Sequence, residues 1–354
     1  MLLGTQDVFL FHVRAQDKSS WGNTRLVLHT LVHKACNTSQ HIFATLARVL
    51  AKFQTLSKER QGEAFTISTM LLWGFFPIVS ILAYQHVTAL FTAVTMTIIS
   101  SVFFGLVMLA RKRFAELSIR AAWRPILWTT FYIVVVTYTL LFFGYAHTTA
   151  GSGSIVALSQ VLFSIIFFGL VLRTEKYTRE ALFGSLLMLV GAAIVLFQGS
   201  FSLEWGNWLI LLAMITAPIG NYYQQQARRL ISAETLLFVR SLLGSIFLLP
   251  FFFFFDSFEH QTNIAAAIPV LIIGGVLILG LAKIFWIESI HRISVAKAVS
   301  LENFSPFITL IAAFFILGEV PTWWQVAGFL PMLAGAWIIL NKDFLHTKLA
   351  EVSE

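Results

Sequence analysis

The stretches EKYTREALFGSLLMLVG (residues 175–191) and EVPTWWQVAGFLPMLAG (residues 319–335) carry one pattern. Glu-x-x-Thr is followed by a Gly after five intervening residues and a second Gly after six more. Glu175, Thr178, Gly184 and Gly191 recur as Glu319, Thr322, Gly328 and Gly335, each 144 positions on. The same shift aligns residues 142–196 with 286–340 without a gap, pairing His147 with His291, Phe163 with Phe307 and Met188 with Met332. Apolar matches between hydrophobic segments come cheaply, but a Glu, a Thr and two Gly in fixed register do not. The chain contains a duplication.

What is duplicated is strongly apolar. Of the 354 residues, 58% are apolar and 12% charged, and mean hydropathy is +0.81; soluble domains carry about 25% charged residues. The apolar residues fall into ten runs, near residues 65–84, 88–110, 126–143, 154–172, 181–198, 206–226, 235–255, 266–287, 298–317 and 322–340. A helix needs about twenty residues to cross the hydrocarbon, whereas barrel strands would be about ten long and would alternate. The expected fold is an all-α polytopic membrane protein of ten transmembrane helices. Five helices separate the two copies, and an odd number reverses direction, so the halves at 65–198 and 206–340 read as inverted five-helix repeats.

Lys and Arg give the orientation, because cytoplasmic loops hold an excess of them. Arg111, Lys112, Arg113, Arg120 and Arg124 follow span two, Arg173, Lys176 and Arg179 follow span four, Arg228 and Arg229 follow span six, and Arg292 and Lys297 follow span eight. The alternate loops contain none. Both termini are expected in the cytoplasm and the plasma (inner) membrane is the expected location. The formal net charge of +7 thus reads as a topology signal rather than a nucleic-acid surface. Residues 1–64 form a basic extension without the continuous apolar stretch of a signal peptide. There Ile42, Phe43, Leu46, Val49, Leu50 and Phe53 have the spacing of an interfacial amphipathic helix, the alternative being an extension without fixed structure. Residues 341–354 form a short tail. The single cysteine, Cys36, leaves no intrachain disulfide and no Cys-based zinc cluster.

Trp73-Gly74 in the first span, the Glu-x-x-Thr-x5-Gly-x6-Gly element closing each half, and Ser305-Pro306 in span nine resemble the EamA-type branch of the drug/metabolite transporter superfamily. The resemblance covers about residues 65–340. It implies a ten-helix carrier with a central cavity that moves small metabolites, often outward, without a bound cofactor. Two departures stand out. The arginine often found early in the second helix of each half is present as Arg240, but its partner by the 144-residue shift is Met96. Pro306 has Leu162 as its partner. An asymmetric site is expected, with its polar chemistry in the second half.

Arg240, Lys283 and Glu302 are the charged residues inside the ten runs. Each costs about 2.5 to 3.5 kcal/mol at mid-bilayer even on a lenient scale, so such groups face a cavity or one another. A pairing of Glu302 with Arg240 or Lys283 would recognise a zwitterion or exchange a proton. Lys283, near the expected end of its span, also reads as a side chain snorkelling to the headgroups. Gln160 and Asn303 are amides at membrane depth that want a partner, either another helix or a substrate. Tyr138 and Tyr222 add aromatic hydroxyls, and Trp73 beside Gly74 offers a face for stacking or cation–π contact. Asn221 to Gln226 read either as site residues or as the polar end of span six. Pro306 suits a moving gate. Glu175 and Glu319 with their threonines read as helix-capping elements, Gln325 completing a capping box with Thr322, while Gly184 and Gly328 permit close helix contact. Gly151-Ser152-Gly153 is expected in an external loop, and the Phe251–Phe255 run at the lipid face.

No His-Glu-x-x-His, Walker-type or dinucleotide-binding glycine motif occurs, and no metal site is suggested. The expected function is a secondary transporter, an exporter of a small metabolite or drug-like compound working by alternating access, with proton coupling open and oligomeric state not readable. The alternatives are a nucleotide-sugar carrier of an internal membrane and a non-transporting scaffold. An enzyme would collect carboxylates or histidines at one membrane face, which this sequence does not.

Overall fold

The computed structural model describes residues 55–174, 179–197, 204–256, 261–302 and 304–352. The proposed helix over residues 42–53, Glu175, Thr178 and Asn303 lie outside them. The described residues are all-helical: α1 (Lys58–Tyr84), α2 (Ala89–Ala110), α3 (Arg120–Tyr145), α4 (Ala150–Val171), α5 (Arg179–Phe197), α6 (Trp205–Arg228), α7 (Ala233–Phe255), α8 (Ile264–Arg292), α9 (Val295–Glu302), α10 (Ser305–Leu317) and α11 (Trp323–Val352). Six of them, α1 to α4, α7 and α8, are long and apolar enough to cross a membrane. Shorter apolar helices run over Phe183–Val195 and Ser305–Leu317.

Local chemistry sets the helix starts. The hydroxyls of Thr88, Thr149 and Ser232 accept from the backbone N–H three residues on, at 3.2, 3.1 and 3.4 Å, and Asn263 does the same for Ala266 at 3.0 Å. Each satisfies a donor that a helix start leaves orphaned. Gly151-Ser152-Gly153 is one correction, since these residues form the first turn of α4 and are buried. Hydropathy windows underweight small residues, but here smallness is the requirement. A Cβ on Gly153 would come within 2.5 Å of the Tyr145 ring and 2.7 Å of Ile210.

The 144-residue shift reappears in the backbone. A wide π-helical stretch occupies Thr130–Tyr138 in α3 and Gly274–Leu281 in α8, the same register in each copy. The helix break after Ala157 in α4, at Leu158-Ser159, corresponds to the end of α9 at Glu302. Packing follows the duplication too: α1 lies along α8 and α6 along α3, so the first helix of each copy packs on the third of the other. The second helices, α2 and α7, pack together, as do the fifth, α5 and α11. At that last contact the repeated glycines meet. A Cβ on Gly191 would overlap the carbonyl oxygen of Gly328, and one on Gly335 would overlap that of Gly184.

The lateral surface is apolar, as lipid requires. Four of the five phenylalanines at 251–255 are exposed, and only Phe252 turns inward. Polar contacts gather at the two ends of the bundle. At the basic end, Glu116 accepts from Ser232 N at 2.8 Å and from its hydroxyl at 2.6 Å, Arg228 pairs with Glu288 at 2.9 Å, and Lys297 pairs with Glu63 at 2.8 Å. At the opposite end, Thr88 and Gln261 bond each other and Asp256, and Thr148 donates to Glu204 at 2.6 Å.

Candidate functional site

Trp73 closes the first segment of α1. The helix is interrupted at Gly74 and Phe75 and resumes with Pro77 in its first turn, where a missing N–H costs nothing. The notch that Gly74 opens is filled by α10: a Cβ there would lie 2.9 Å from Ile308, and Thr309 donates to the Gly74 carbonyl at 2.7 Å. Trp73 stacks parallel on Phe76, with centroids 4.5 Å apart and 1° between planes. The indole is thereby fixed at the wall of a cavity of about 80 Å³.

That cavity lies between helices of both copies. Thr137, Tyr138 and Tyr145 of α3 line it, with Ser154 and Gln160 of α4 and Asn221 and Gln224 of α6. Arg240 of α7, Lys283 and Trp286 of α8 and Glu302 of α9 complete it. The π-helical stretches end at Tyr138 and just before Lys283, so the widened turns sit beside the polar wall.

Arg240 is 1% exposed. Its Nη1 donates to Gln224 Oε1 at 2.6 Å and its Nη2 to Tyr138 OH at 3.4 Å, with Tyr138's ring centroid 5.8 Å from the guanidinium carbon. Gln224 Nε2 in turn donates to Asn221 Oδ1 at 2.7 Å, and Trp286 Nε1 donates to the same oxygen at 3.2 Å. A relay of neutral groups thus aims the guanidinium, while Arg240 Nε has no hydrogen-bond partner among the described residues. A buried cation held this way keeps much of its field. Lys283 Nζ sits 3.2 Å from the centre of the Trp73 ring and 5.9 Å from that of Tyr138. Two cations and one carboxylate, Glu302, line the cavity, a surplus of one positive charge.

The site residues read from the sequence divide as follows. Trp73, Tyr138, Gln160, Arg240 and Glu302 all line the cavity. Tyr222 does not; it packs against Phe167, Phe168 and Tyr223, while its neighbours Asn221 and Gln224 face inward. Lys283 does not snorkel. The α8 helix runs on to Arg292, so Lys283 lies well inside it, 9% exposed. Phe76, Tyr145 and Trp286 entered through packing that spacing alone does not reveal. Pro306 is buried in the first turn of α10 and begins that helix rather than kinking one. Glu319 accepts from the N–H groups of Ala150 and Gly151 at 3.3 and 3.4 Å, capping α4 from the other copy. Thr322 and Gln325 form the reciprocal capping pair, and Gln325 Nε2 also donates to Ser152 Oγ at 3.0 Å and Thr149 Oγ1 at 3.2 Å.

Known proteins share this architecture. A solved crystal structure superposes with a TM-score of 0.61 over 79% of this chain and 96% of that one, at 17% identity, a likeness of fold. The protein named "Probable terminal-alkyne amino-acid exporter" from Streptantibioticus cattleyicolor is 27% identical over 206 residues, covering 56% of this chain and 67% of that protein. An uncharacterized transporter of Bacillus subtilis is 22% identical over 277 residues, 77% of this chain and 90% of that protein. The EamA-like transporter family profile matches twice, over residues 60–197 and 204–341. With both copies accounted for, the chain is a multi-pass membrane transporter and belongs to the EamA-like transporter family.

Proposed function

We propose that the protein is a secondary carrier of ten membrane-spanning segments in two inverted repeats, exporting a small zwitterionic, amphipathic metabolite by alternating access. The observation that carries this reading is the convergence of Arg240, Lys283 and Glu302, with Trp73 and Tyr138, on one cavity between the two copies. Charges so costly at membrane depth earn retention by meeting a ligand. The basic end of the bundle is then cytoplasmic. Outward direction draws its support from the relative named as a terminal-alkyne amino-acid exporter, since an amino acid of that kind combines carboxylate, ammonium and apolar body. Glu302 is the acidic lining residue and the coupling group for a proton. A nucleotide-sugar carrier would need more cations for its phosphates than Arg240 and Lys283 supply.

The test is untargeted metabolite profiling of cells and medium, comparing wild type with Glu302→Gln and Arg240→Gln at matched membrane levels. A compound that accumulates outside only with wild type supports both substrate class and direction. An unchanged medium overturns export. Transport by Glu302→Gln with an unaltered pH dependence overturns the proton role.

A further inference from the structure

We infer that Lys283 is a specificity-determining residue: a tethered cation that occupies the aromatic face of Trp73 and so bars cationic substrates from the cavity. The inference rests on the cavity being the substrate site, as proposed above, and adds what that site refuses and why.

An indole wall at membrane depth is a natural cradle for an ammonium group, since a cation within about 6 Å of the ring centre is drawn to its negative face. In this cavity the cradle is already filled. Lys283 Nζ lies 3.2 Å from the Trp73 centroid, and Phe76 covers the indole by parallel stacking at 4.5 Å. Tyr138, the second aromatic neighbour, is within 5.9 Å of the same ammonium and also takes the Arg240 Nη2–H. An incoming organic cation meets two cations against the single carboxylate of Glu302, and an occupied aromatic face. A carboxylate meets the Arg240 guanidinium in the cavity wall, whose Nε is a buried donor with no partner among the described residues. The cavity thus suits a carboxylate-bearing small molecule, anionic or zwitterionic, and Lys283 is the side chain that keeps cations off its aromatic face. The duplication supports a specialised role, because the position equivalent to Lys283 in the first copy is Thr139.

The experiment measures binding of benzyltrimethylammonium to the purified full chain in detergent by isothermal titration calorimetry. Wild type is expected to bind it with an affinity at least tenfold weaker than Lys283→Met, whose neutral side chain vacates the cation–π site. Lys283→Arg should keep the exclusion, and the double variant Lys283→Met/Trp73→Ala should lose the gain. Lys283→Gln, with a polar end, is the parallel variant where an apolar side chain impairs folding, judged by monodispersity. Equal binding by wild type and both neutral variants, or a gain that survives Trp73→Ala, overturns the inference. Binding does not depend on turnover. A wild type that exports nothing while Lys283→Met gains Trp73-dependent cation binding would defeat the transport reading and leave only the exclusion of cations from the cavity by Lys283.

Discussion

Arg240 is hydrogen-bonded by neutral groups, Gln224 and Tyr138, inside an otherwise apolar helix, and that contrast explains which residues could be read without a structure. A lone charge in an apolar run is conspicuous because of its desolvation cost, so Arg240, Lys283 and Glu302 declared themselves, and Trp73, Tyr138 and Gln160 stood out by type. The amides of α6 were ambiguous, since Arg228 and Arg229 follow so closely. Asn221 and Gln224, three apart, share a helix face; Tyr222 is rotated about 100° from Asn221 and points elsewhere. At the basic end, Glu116 offers a clean test outside the membrane-spanning helices. Partial burial pushes its carboxyl up, but hydrogen bonds from Ser232 and Thr235 and the nearby Arg113 outweigh this and hold it below the usual carboxylate range. A depressed value contributes stability above the unfolded-state pKa of about 4.3 and loses it as pH falls through the lower folded value. Glu116→Gln should therefore lower stability by up to about 1 kcal/mol at pH 7, and the deficit should shrink as pH falls below the unfolded-state value of about 4.3. Thermal denaturation midpoints across that range in detergent check it; a constant deficit at all pH values would mean the carboxylate charge is irrelevant.

Helices carry the next level of information. Length, caps and hydropathy made most of them legible, and the glycine pattern correctly pointed to tight contact without saying with what. The partner turned out to be the equivalent helix of the other copy, with Gly191 against Gly328 and Gly184 against Gly335. Because the obstacle there is backbone rather than a movable side chain, even Gly191→Ala should lower stability by about 1 to 3 kcal/mol. The readout is the denaturation midpoint of purified protein, and an unchanged midpoint would show that α5 and α11 have room to part. The breaks were harder to read. Pro77 and Pro306 mark two of them, but α4 breaks at Leu158-Ser159 without a proline, and averaging over a hydropathy window erases such a feature. Only the shift onto the end of α9 marks that site in the sequence, and the π-helical stretches have no residue signature beyond their shared register.

For the molecule as a whole, the two ends of the bundle differ in how they are tied. Opposite the basic end, Glu319 and Gln325 of the second copy hold the start of α4, whose Ser154 lines the cavity. The position equivalent to Gln325 in the first copy is Ala181, which has no amide to offer. Gln325→Ala should loosen this tie. In a Cys36→Ser background, Ser154→Cys should react with a membrane-impermeant maleimide from that side several-fold faster once Gln325 is alanine. Equal labelling rates would mean that these hydrogen bonds do not guard the cavity. The duplication and its apolar helices could be read in advance, while this unequal fastening needed coordinates, because hydrogen bonds between distant loops leave no periodicity. A broader consequence comes from the charges. Met96, Leu158 and Thr139 stand where the second copy has Arg240, Glu302 and Lys283. Two identical halves related by a pseudo-twofold would exchange roles at no net change in free energy, leaving the empty carrier indifferent to the side it faces. In the alternating-access carrier proposed above, that exchange would move Arg240, Lys283 and Glu302 into new environments, so the unloaded protein would have a resting side. Such a preference could not drive uphill flow, but it would make the apparent affinities measured from the two faces unequal.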